Sequence, residues 1–314
     1  MIDASGTWQN PNVLGGDGLA ARGEQQARAA GLVFPSALPD LLGADRARFA
    51  GARVLVAGAG HSATNTLISL AQLVEQDPTT RAVWAIRGRL GARVFGGGED
   101  DALPARGALG SRLRALVESG RVELLAGFSI DALRIGDSGV TVTALDGREV
   151  MVDRIVSATG FRPDHTLAGE LRADWDPALG STRALAPLID PNEHSCGTVP
   201  PHGQRELAHP EPGYYAVGTK SYGRAPTFLM TTGYEQVRSI VAFLDGDLEA
   251  AAEVRLELPE TGVCSSNPDE SVGDASGGCC GAPPARGLAT GIRGGLLSAP
   301  LPLLKPGSRS GSCG

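Results

Sequence analysis

The sequence is poor in aromatic side chains, which make up 4% of its 314 residues, and no apolar run is long enough to cross a bilayer. The apolar segment Gly294–Leu304 is short and contains two prolines. The formal net charge of −7 is not the basic excess of a nucleic-acid-binding surface. Met1–Ser5 has neither the basic residues nor the apolar core of a signal peptide. We therefore expect a cytoplasmic protein that binds neither nucleic acid nor membrane.

Cysteine is scarce as well. The five cysteines are an odd number in a long chain, which does not suit a disulfide framework, and no two of them have the CxxC spacing of a redox dithiol. Glycine and proline are plentiful instead, with 44 and 21 residues. This balance favours an enzyme rich in turns and βα loops over a helical bundle.

Short apolar runs and helical periods alternate in the first half of the chain. Arg53–Ala57 is typical of a buried parallel strand, and Thr64–Glu75 follows it with leucines on one helical face. The pattern repeats as a strand at Ala82–Ile86, a helix at Gly110–Ser119 and a strand at Arg121–Leu125. This β-α-β-α-β order predicts an α/β fold with a doubly wound, Rossmann-like parallel sheet.

The second half of the chain has weaker patterns. Residues 130–145 alternate in polarity and predict a small antiparallel excursion with turns at Gly136 and at Asp146-Gly147. Val152–Ala158 and Tyr214–Val217 predict further strands. Residues 231–244 predict a long helix whose inward-facing apolar residues are Val237, Ile240, Val241 and Leu244.

A glycine loop lies between the first predicted strand and helix. In the run Gly58-Ala59-Gly60-His61-Ser62-Ala63, Gly58 permits a tight turn, and Gly60 lets the backbone approach a pyrophosphate that the helix N-terminus stabilises. Ala63 takes the third small position, where helix packs on strand. Because the strand–loop–helix context is complete, we predict a dinucleotide site rather than a turn that merely needs glycine.

Two arginines stand where the type of dinucleotide is decided. An NAD site carries Asp or Glu at the end of the second strand to bond the ribose 2′-hydroxyl, but this sequence has Arg87 there and Arg89 two residues later. A guanidinium can fork onto a 2′-phosphate, so we predict NADP(H) rather than NAD. The alternative is that Arg87 is only a solvated charge at a strand end.

Three further segments carry a family resemblance. Ser157–Asp164 (SATGFRPD), Met1–Trp8 (MIDASGTW) and Pro212–Gly218 (PGYYAVG) resemble strand ends of two-dinucleotide flavoproteins, the flavin monooxygenase and thioredoxin-reductase-like group. The resemblance implies an NADPH domain inserted into an FAD domain. It implies further cofactor contacts for five residues, which are Thr159, Gly160, Gly218, Thr219 and Lys220.

A narrower resemblance is carried by five runs spread over residues 60–266. They are similar to flavoproteins encoded in actinobacterial arsenic-resistance operons, and they read GHSA, HSCGTVPPHG, GTKSYGRAPTFL, TTGYEQVRS and LPETGVCSS. The sequence also departs from the larger group. No FAD-binding glycine fingerprint and no FxGxxxHxxx(Y/F) monooxygenase motif precede residue 51, and Thr219 stands where the group has Asp. We therefore expect either a fragment or a chain whose FAD half is supplied elsewhere.

Cysteine and loop residues give the remaining candidates. Cys264, Cys279 and Cys280 either bind a metalloid through soft thiolates or are incidental in a Gly-rich tail. Cys196 is a candidate nucleophile or flavin neighbour, and zinc is not expected at the nearby histidines, His202 and His209. Four residues next to the FAD-like strand end either line a flavin or anion site or belong to a solvated loop, and these are Lys220, Tyr222, Arg224 and Thr227.

Together these features predict four segments: an FAD-domain remnant with a linker (1–50), an NADP domain (51–160), the C-terminal part of the FAD domain (161–262) and a disordered tail (263–314). The expected function is that of an NADPH-dependent, monooxygenase-like flavoprotein oxidoreductase associated with arsenic resistance. Its partners would be a small-molecule substrate or metalloid and a second copy of the chain. The alternatives are an NADP-binding fragment without catalysis and a metalloid-binding protein that acts through its tail cysteines.

Overall fold

The computed structural model describes residues 1–89, 92–95, 104–194 and 199–256. Contacts divide the chain into two units, and the first, Met1–Asp269, contains every described residue. The predicted disordered tail at 263–314 lies outside the described residues. Among the helices described, none is long and apolar enough to cross a membrane.

Ten strands and eight α-helices are numbered here in chain order, counting only the described ranges. The strands are β1 (Ile2–Asp3), β2 (Val33–Phe34), β3 (Arg53–Ala57), β4 (Arg81–Ala85), β5 (Val122–Leu125), β6 (Ile130–Gly136), β7 (Gly139–Ala144), β8 (Glu149–Val152), β9 (Arg154–Ser157) and β10 (Tyr215–Ala216). The helices are α1 (Glu24–Ala29), α2 (His61–Gln76), α3 (Pro104–Glu118), α4 (Ala186–Ile189), α5 (Gln204–Leu207), α6 (Thr219–Tyr222), α7 (Met230–Asp245) and α8 (Leu248–Ala252).

The main sheet has five parallel strands in the order β2-β9-β3-β4-β5. From β3 the chain moves outward through β4 to β5 and then returns to the other side of β3 as β9, so the order reverses between β3 and β9. This reversal confirms the predicted doubly wound α/β fold. In such sheets, ligands bind in the crevice outside the carboxyl ends of the strands at the reversal.

Both faces of the main sheet are covered, as parallel strands require. On one face Val54, Val56 and Trp84 pack against the leucines of α2 and α3. On the other face Leu55 and Val83 pack against α1 and an antiparallel sheet. The alternation of β3 side chains between two separate cores explains why this strand is apolar from Val54 to Ala57.

Most predicted elements of this region are confirmed, with shifted bounds. The first strand is Arg53–Ala57 as predicted, whereas α2 begins three residues earlier than the leucine pattern indicated. The predicted antiparallel excursion is a three-stranded sheet in the order β6-β7-β8. The predicted strand at 152–158 is divided, because Val152 ends β8 and Asp153, whose carboxylate accepts a hydrogen bond from the Arg53 backbone, precedes β9.

The remaining strands, β1 and β10, pair in parallel as a separate two-stranded sheet with α7 near it. The helix forms where predicted, but three of its four predicted inward-facing residues are wrong. Ile240 is buried, whereas Val237, Val241 and Leu244 are exposed. The reason is that polar side chains of α7 face inward: Glu235, Gln236 and Ser239 form hydrogen bonds there, and Thr232 is buried beside them.

The packing of α2 on the sheet gives a first prediction. Leu67 is fully buried against the main sheet, so Leu67→Ala removes apolar contacts and leaves a cavity. We expect the free energy of unfolding to fall by about 2–5 kcal/mol in denaturant titrations. The matched control, Leu145→Ala, truncates a leucine that is 60% exposed, and it should change the free energy of unfolding by no more than about 0.5 kcal/mol. Equal losses for the two variants would contradict this packing.

Candidate dinucleotide site

The glycine loop lies at the carboxyl end of β3, where the strand order reverses. Gly58 adopts φ +130°, and a Cβ built on it would lie 2.1 Å from the carbonyl oxygen of Ala158. No L-residue with a side chain fits that approach. The Gly58 carbonyl also accepts a hydrogen bond from Trp84 Nε1 at 2.7 Å, so the turn is held from both neighbouring strands.

The next glycine faces open space. Gly60 caps α2 in an extended conformation, and a Cβ built on it would have no atom within 4 Å. The first-turn N–H groups of a helix have no carbonyl partners within the helix, and the helix dipole favours an anion there. The chain therefore provides a 16-residue helix whose N-terminus a phosphate can approach closely.

The other residues of the fingerprint lie in the first turn of α2. Ala63, in the first turn of α2, is fully buried on the face of the helix that packs on the sheet, and a larger residue there would push the helix away. His61 is exposed and Ser62 half-buried at the mouth of the loop. These placements fit the pyrophosphate of a dinucleotide.

The two predicted specificity arginines lie at the carboxyl end of β4, at the same edge of the sheet. Arg87 and Arg89 are exposed, and a Cβ on Gly88 between them would meet nothing within 4 Å. Arg87 Nη1 donates to the Gly16 carbonyl at 3.5 Å, the limit of hydrogen-bond length. The Gly88 carbonyl accepts from Gly127 N at 2.8 Å, which fixes the turn. The residues thus fit a dinucleotide with a 2′-phosphate.

Thr159 and Gly160, for which cofactor contacts are predicted after β9, form hydrogen bonds with Asn12. Thr159 Oγ1 donates to the Asn12 carbonyl at 2.9 Å, and Asn12 Nδ2 donates to the Thr159 carbonyl at 3.1 Å. Asn12 N also donates to the Gly160 carbonyl at 2.9 Å. These bonds hold residues 10–12 beside the loop that contains Gly58. A direct contact of Thr159 or Gly160 with a cofactor stays a prediction.

A buried ion pair joins β1 to α6. Lys220 Nζ lies 2.6 Å from Asp3 Oδ2 and 2.8 Å from Ser5 Oγ, and both charged side chains are nearly inaccessible. Burial alone would raise the pKa of Asp3, but hydrogen bonds from Lys220 and Ser5 outweigh it and hold that pKa below its usual range. Burial and the charge of Asp3 raise the pKa of Tyr214 to about 12. The ammonium of Lys220 therefore forms its ion pair and a hydrogen bond within the protein, with Asp3 and Ser5.

Three residues at the same edge lie where the sequence resemblance predicts flavin contacts, namely Gly6, Gly218 and Thr219. A Cβ built on Gly6 would lie 3.7 Å from Thr219 Oγ1, and one on Gly218 would meet nothing within 4 Å. Gly218 N donates to Gln236 Oε1 at 2.9 Å, which ties this turn to α7. Thr219 offers a hydroxyl where the flavoprotein pattern has a carboxylate. The described residues therefore do not supply the full set of groups that the flavoprotein pattern places around FAD.

The sequence did not single out the residues that fix this edge. Asp3 and Ser5 lie in the Met1–Trp8 segment, which resembles a strand end of the flavoproteins. Their role, which is to bind the ammonium of Lys220, more than 200 positions away, is visible only in the structure. Gln236 had no local signal either. Its amide lies within hydrogen-bond distance of Ser221 Oγ and of His202 Nε2, at 2.9 and 3.3 Å, in a buried polar network.

The two loop histidines are part of the interior. Burial lowers the pKa of His202, whose ring lies near Tyr222 OH, and His209 Nδ1 accepts from Asp174 N at 3.1 Å. No group of three His, Cys, Asp or Glu within the described ranges is arranged to hold a metal. Tyr222 and Thr227 are also buried, whereas Arg224 is exposed. Four candidate thiols lie outside the described residues, namely Cys196, Cys264, Cys279 and Cys280.

Two cavities of the described residues lie elsewhere. One of about 340 Å³ is a groove between α2 and α3, lined by Ile68 and Arg112 among others. Another of about 530 Å³ lies at the opposite end of the sheet, near Arg53 and Gly120. Neither of these two cavities contains the glycine loop or a helix N-terminus, which are the features that suit a pyrophosphate.

Comparisons with known proteins agree with this architecture. No protein-family profile and no curated protein matches the chain. Among solved structures, the bacillithiol disulfide reductase Bdr (YpdA) from Staphylococcus aureus is 15% identical, with a TM-score of 0.52 over 78% of this chain and 61% of that one. The Bacillus cereus reductase of the same name is 16% identical, with a TM-score of 0.49 over 80% and 59%.

At this identity, the similarity to the Staphylococcus aureus structure shows the fold and nothing further. The chain has the α/β fold of this disulfide-reductase structure, with a Rossmann-like parallel sheet. It spans about three fifths of the length of these reductases. The activity, substrates and partners of the whole protein are therefore matters for proposal.

The buried ion pair gives the second prediction. Lys220→Met leaves the Asp3 carboxylate buried without its partner, and we expect the free energy of unfolding to fall by about 3–5 kcal/mol. The double variant Asp3→Asn/Lys220→Met should recover part of that loss. As a control, Arg134→Met removes the exposed partner of Glu149 and should change the free energy of unfolding by less than about 1 kcal/mol.

The same pair predicts a pH dependence. Because the folded-state pKa of Asp3 is lowered, its contribution to stability is present above the unfolded-state value of about 4 and is lost as the pH falls through the folded-state value. Chemical unfolding between pH 7 and 3 should therefore show a smaller loss in the double variant than in wild type. Parallel pH curves would show that the pair does not stabilise the fold.

Proposed function

We propose that this chain binds NADPH as part of a flavoprotein oxidoreductase. One observation carries the proposal. The Gly58 backbone lies so close to the Ala158 carbonyl that no side chain fits, whereas the space beside Gly60, at the N-terminus of α2, is empty. Both glycines lie where the strand order reverses. Among the described residues, this is where backbone, helix dipole and topology together suit a dinucleotide pyrophosphate.

The arginines extend the proposal to the type of dinucleotide. Arg87 would fork onto the 2′-phosphate of NADPH, and Arg89 would add a second positive charge at the same exposed turn. Neither offers the carboxylate that bonds the ribose hydroxyls of NAD. The NADP domain would then be residues 51–160, and residues 161–262 the C-terminal part of a second, FAD-type domain.

A flavin, if held beside this chain, would supply the redox chemistry that links NADPH to a second substrate. In this chain Gly6, Gly218 and Thr219 would flank it, and the rest of its site would come from outside the described residues. The absence of a carboxylate at Thr219 favours a second candidate, an NADP-binding protein without redox activity. Visible absorbance near 450 nm in the purified protein separates the two.

The association with arsenic is a finer proposal that rests on the sequence resemblance. The vicinal Cys279 and Cys280, with Cys264, supply the soft thiolates that arsenite binds. The substrate would then be a metalloid or a small molecule that carries one.

The NADPH site gives the third prediction. We expect calorimetric titration of wild type to give a lower Kd for NADPH than for NADH. Arg87→Ala should raise the Kd for NADPH about tenfold or more and leave that for NADH within about twofold, because only the 2′-phosphate contact is lost. An unchanged preference would contradict the role of Arg87.

Two further variants sharpen this test. Arg121→Ala removes an exposed arginine next to the amino end of β5, at the opposite edge of the sheet, and should leave both Kd values unchanged. Gly58→Ala places a methyl group against the Ala158 carbonyl and should weaken NADPH and NADH alike. Full binding by Gly58→Ala would contradict the proposed site.

The tail thiols give the fourth prediction. Mass spectrometry of arsenite-treated protein should show an arsenic adduct that Cys279→Ser removes and Cys313→Ser retains. Without an adduct in wild type, the metalloid proposal fails. The NADPH titrations are independent of this result.

A further inference from the structure

Glu24, the first residue of α1, is a carboxylate buried in the interior. It is 2% exposed, and a buried charge is stable only where other groups pair with it. The carboxylate accepts from Leu14 N and Ala21 N, each at 3.0 Å, and from Arg28 Nη2 at 2.7 Å. One side chain therefore holds together the two ends of the segment 14–21, which we name the clamped loop.

Further contacts fix the clamped loop to the two neighbouring sheets. Arg28 Nη2 lies 3.4 Å from the hydroxyl of Ser157, the last residue of β9. Directly after the loop, Arg22 N donates to the Asp131 carbonyl at 2.9 Å, and Leu133 N donates to the Arg22 carbonyl at 2.7 Å. The loop is thus held in place at the carboxyl edge of the main sheet and along β6.

The middle of the clamped loop reaches the arginine that we assign to the 2′-phosphate. Gly16 N donates to the Ile130 carbonyl at 2.8 Å, and a Cβ built on Gly16 would lie 1.9 Å from Ser129 Oγ. The loop therefore packs directly on the start of β6, with no room for a side chain. On its other side the Gly16 carbonyl accepts from Arg87 Nη1 at 3.5 Å.

The next residue of the loop brings a negative charge to this place. Asp17 is exposed, and its Oδ1 accepts from Leu19 N at 2.9 Å, so the carboxylate folds back onto its own loop. Because Asp17 is bonded to Gly16, covalent geometry keeps its carboxylate within about 10 Å of Arg87 Nη1. That distance is about one Debye length at 0.1 M salt. A phosphate bound by Arg87 would therefore be repelled by Asp17.

We propose that the clamped loop is the second wall of the 2′-phosphate subsite and that Asp17 is a specificity-determining residue in it. Glu24 is a positioning residue, because it holds the loop beside Arg87. Arg87 and Arg89 attract the 2′-phosphate of NADPH and Asp17 opposes them, whereas NADH has no charge at this position. Asp17 thus narrows the margin between the two dinucleotides. The inference rests on the proposed function, and it extends the NADP site to residues that precede position 51.

The first test removes the charge and uses calorimetric titration of the full 314-residue chain with NADPH and with NADH. At about 0.01 M salt, Asp17→Asn should lower the Kd for NADPH about three- to fivefold and leave that for NADH unchanged. At about 1 M salt, variant and wild type should agree, because the charge is screened. The control Asp137→Asn removes an exposed carboxylate at the far end of β6 and should change neither Kd.

The second test asks whether the position of the loop produces this effect. Gly16→Ala places a methyl group against Ser129 and displaces the loop, so Asp17→Asn in that background should no longer change the Kd for NADPH. Adding Ser129→Gly removes the side chain that the methyl group meets and should restore the effect. Glu24→Ala frees both ends of the loop and should also abolish the effect, whereas Glu24→Gln retains an acceptor oxygen and should keep part of it.

The inference is overturned if Asp17→Asn leaves the Kd for NADPH unchanged at low salt, if it shifts the Kd for NADH equally, or if its effect survives Gly16→Ala. Asp17 is exposed, so the thermal unfolding temperature of Asp17→Asn should match that of wild type, and this variant decides the matter even where Glu24→Ala does not fold.

Failure of the proposed function gives a different result, because Arg87→Ala then leaves the preference for NADPH unchanged. If Arg87→Ala weakens NADPH but Asp17→Asn has no effect, the 2′-phosphate binds at Arg87 and only the role of the clamped loop is wrong.

Discussion

The approach of the Gly58 backbone to the Ala158 carbonyl is the constraint on which the site depends. It is possible only for a glycine with positive φ, and it brings the end of β3 and the end of β9 together at the reversal of the strand order. The helix that follows, α2, then begins at His61 directly after its N-cap Gly60, with its N-terminus facing outward from this edge. A buried tryptophan on β4, Trp84, holds the same turn through its indole N–H.

A second constraint acts on the other sheet. β1 and β10 contribute two residues each, too few for a sheet to be stable alone. The buried pair of Asp3 and Lys220 and the network around Gln236 supply what the short strands lack. They also fix the turn at Gly218, so the proposed flavin flank and the orientation of α7 are consequences of one set of polar contacts.

Local sequence patterns were sufficient for the first sheet. Arg53–Ala57 is short, apolar and followed at once by glycines, and few structures other than a buried strand and a phosphate-binding turn satisfy that combination. The specificity arginines could likewise be located by their position after the second strand. Both are exposed at the carboxyl end of β4, where a ligand can reach them.

The second sheet could not be predicted in the same way. The partners Asp3 and Lys220 are far apart in sequence, and no local pattern links them. The apolar period of α7 correctly indicated a helix but not which face is buried, because buried hydrogen bonds of Gln236 and Ser239 decide the orientation. Apolar spacing indicates a helix with an apolar face, but it does not show that this face packs against the interior of the same domain.

The most direct test of the NADPH site is amide hydrogen–deuterium exchange of the full chain with and without NADPH. Binding at the glycine loop should slow exchange in residues 58–66, where the loop and the first turns of α2 lie, and in the turn at 87–89. Unchanged exchange in both segments, or protection confined to the groove between α2 and α3, would contradict the proposed site.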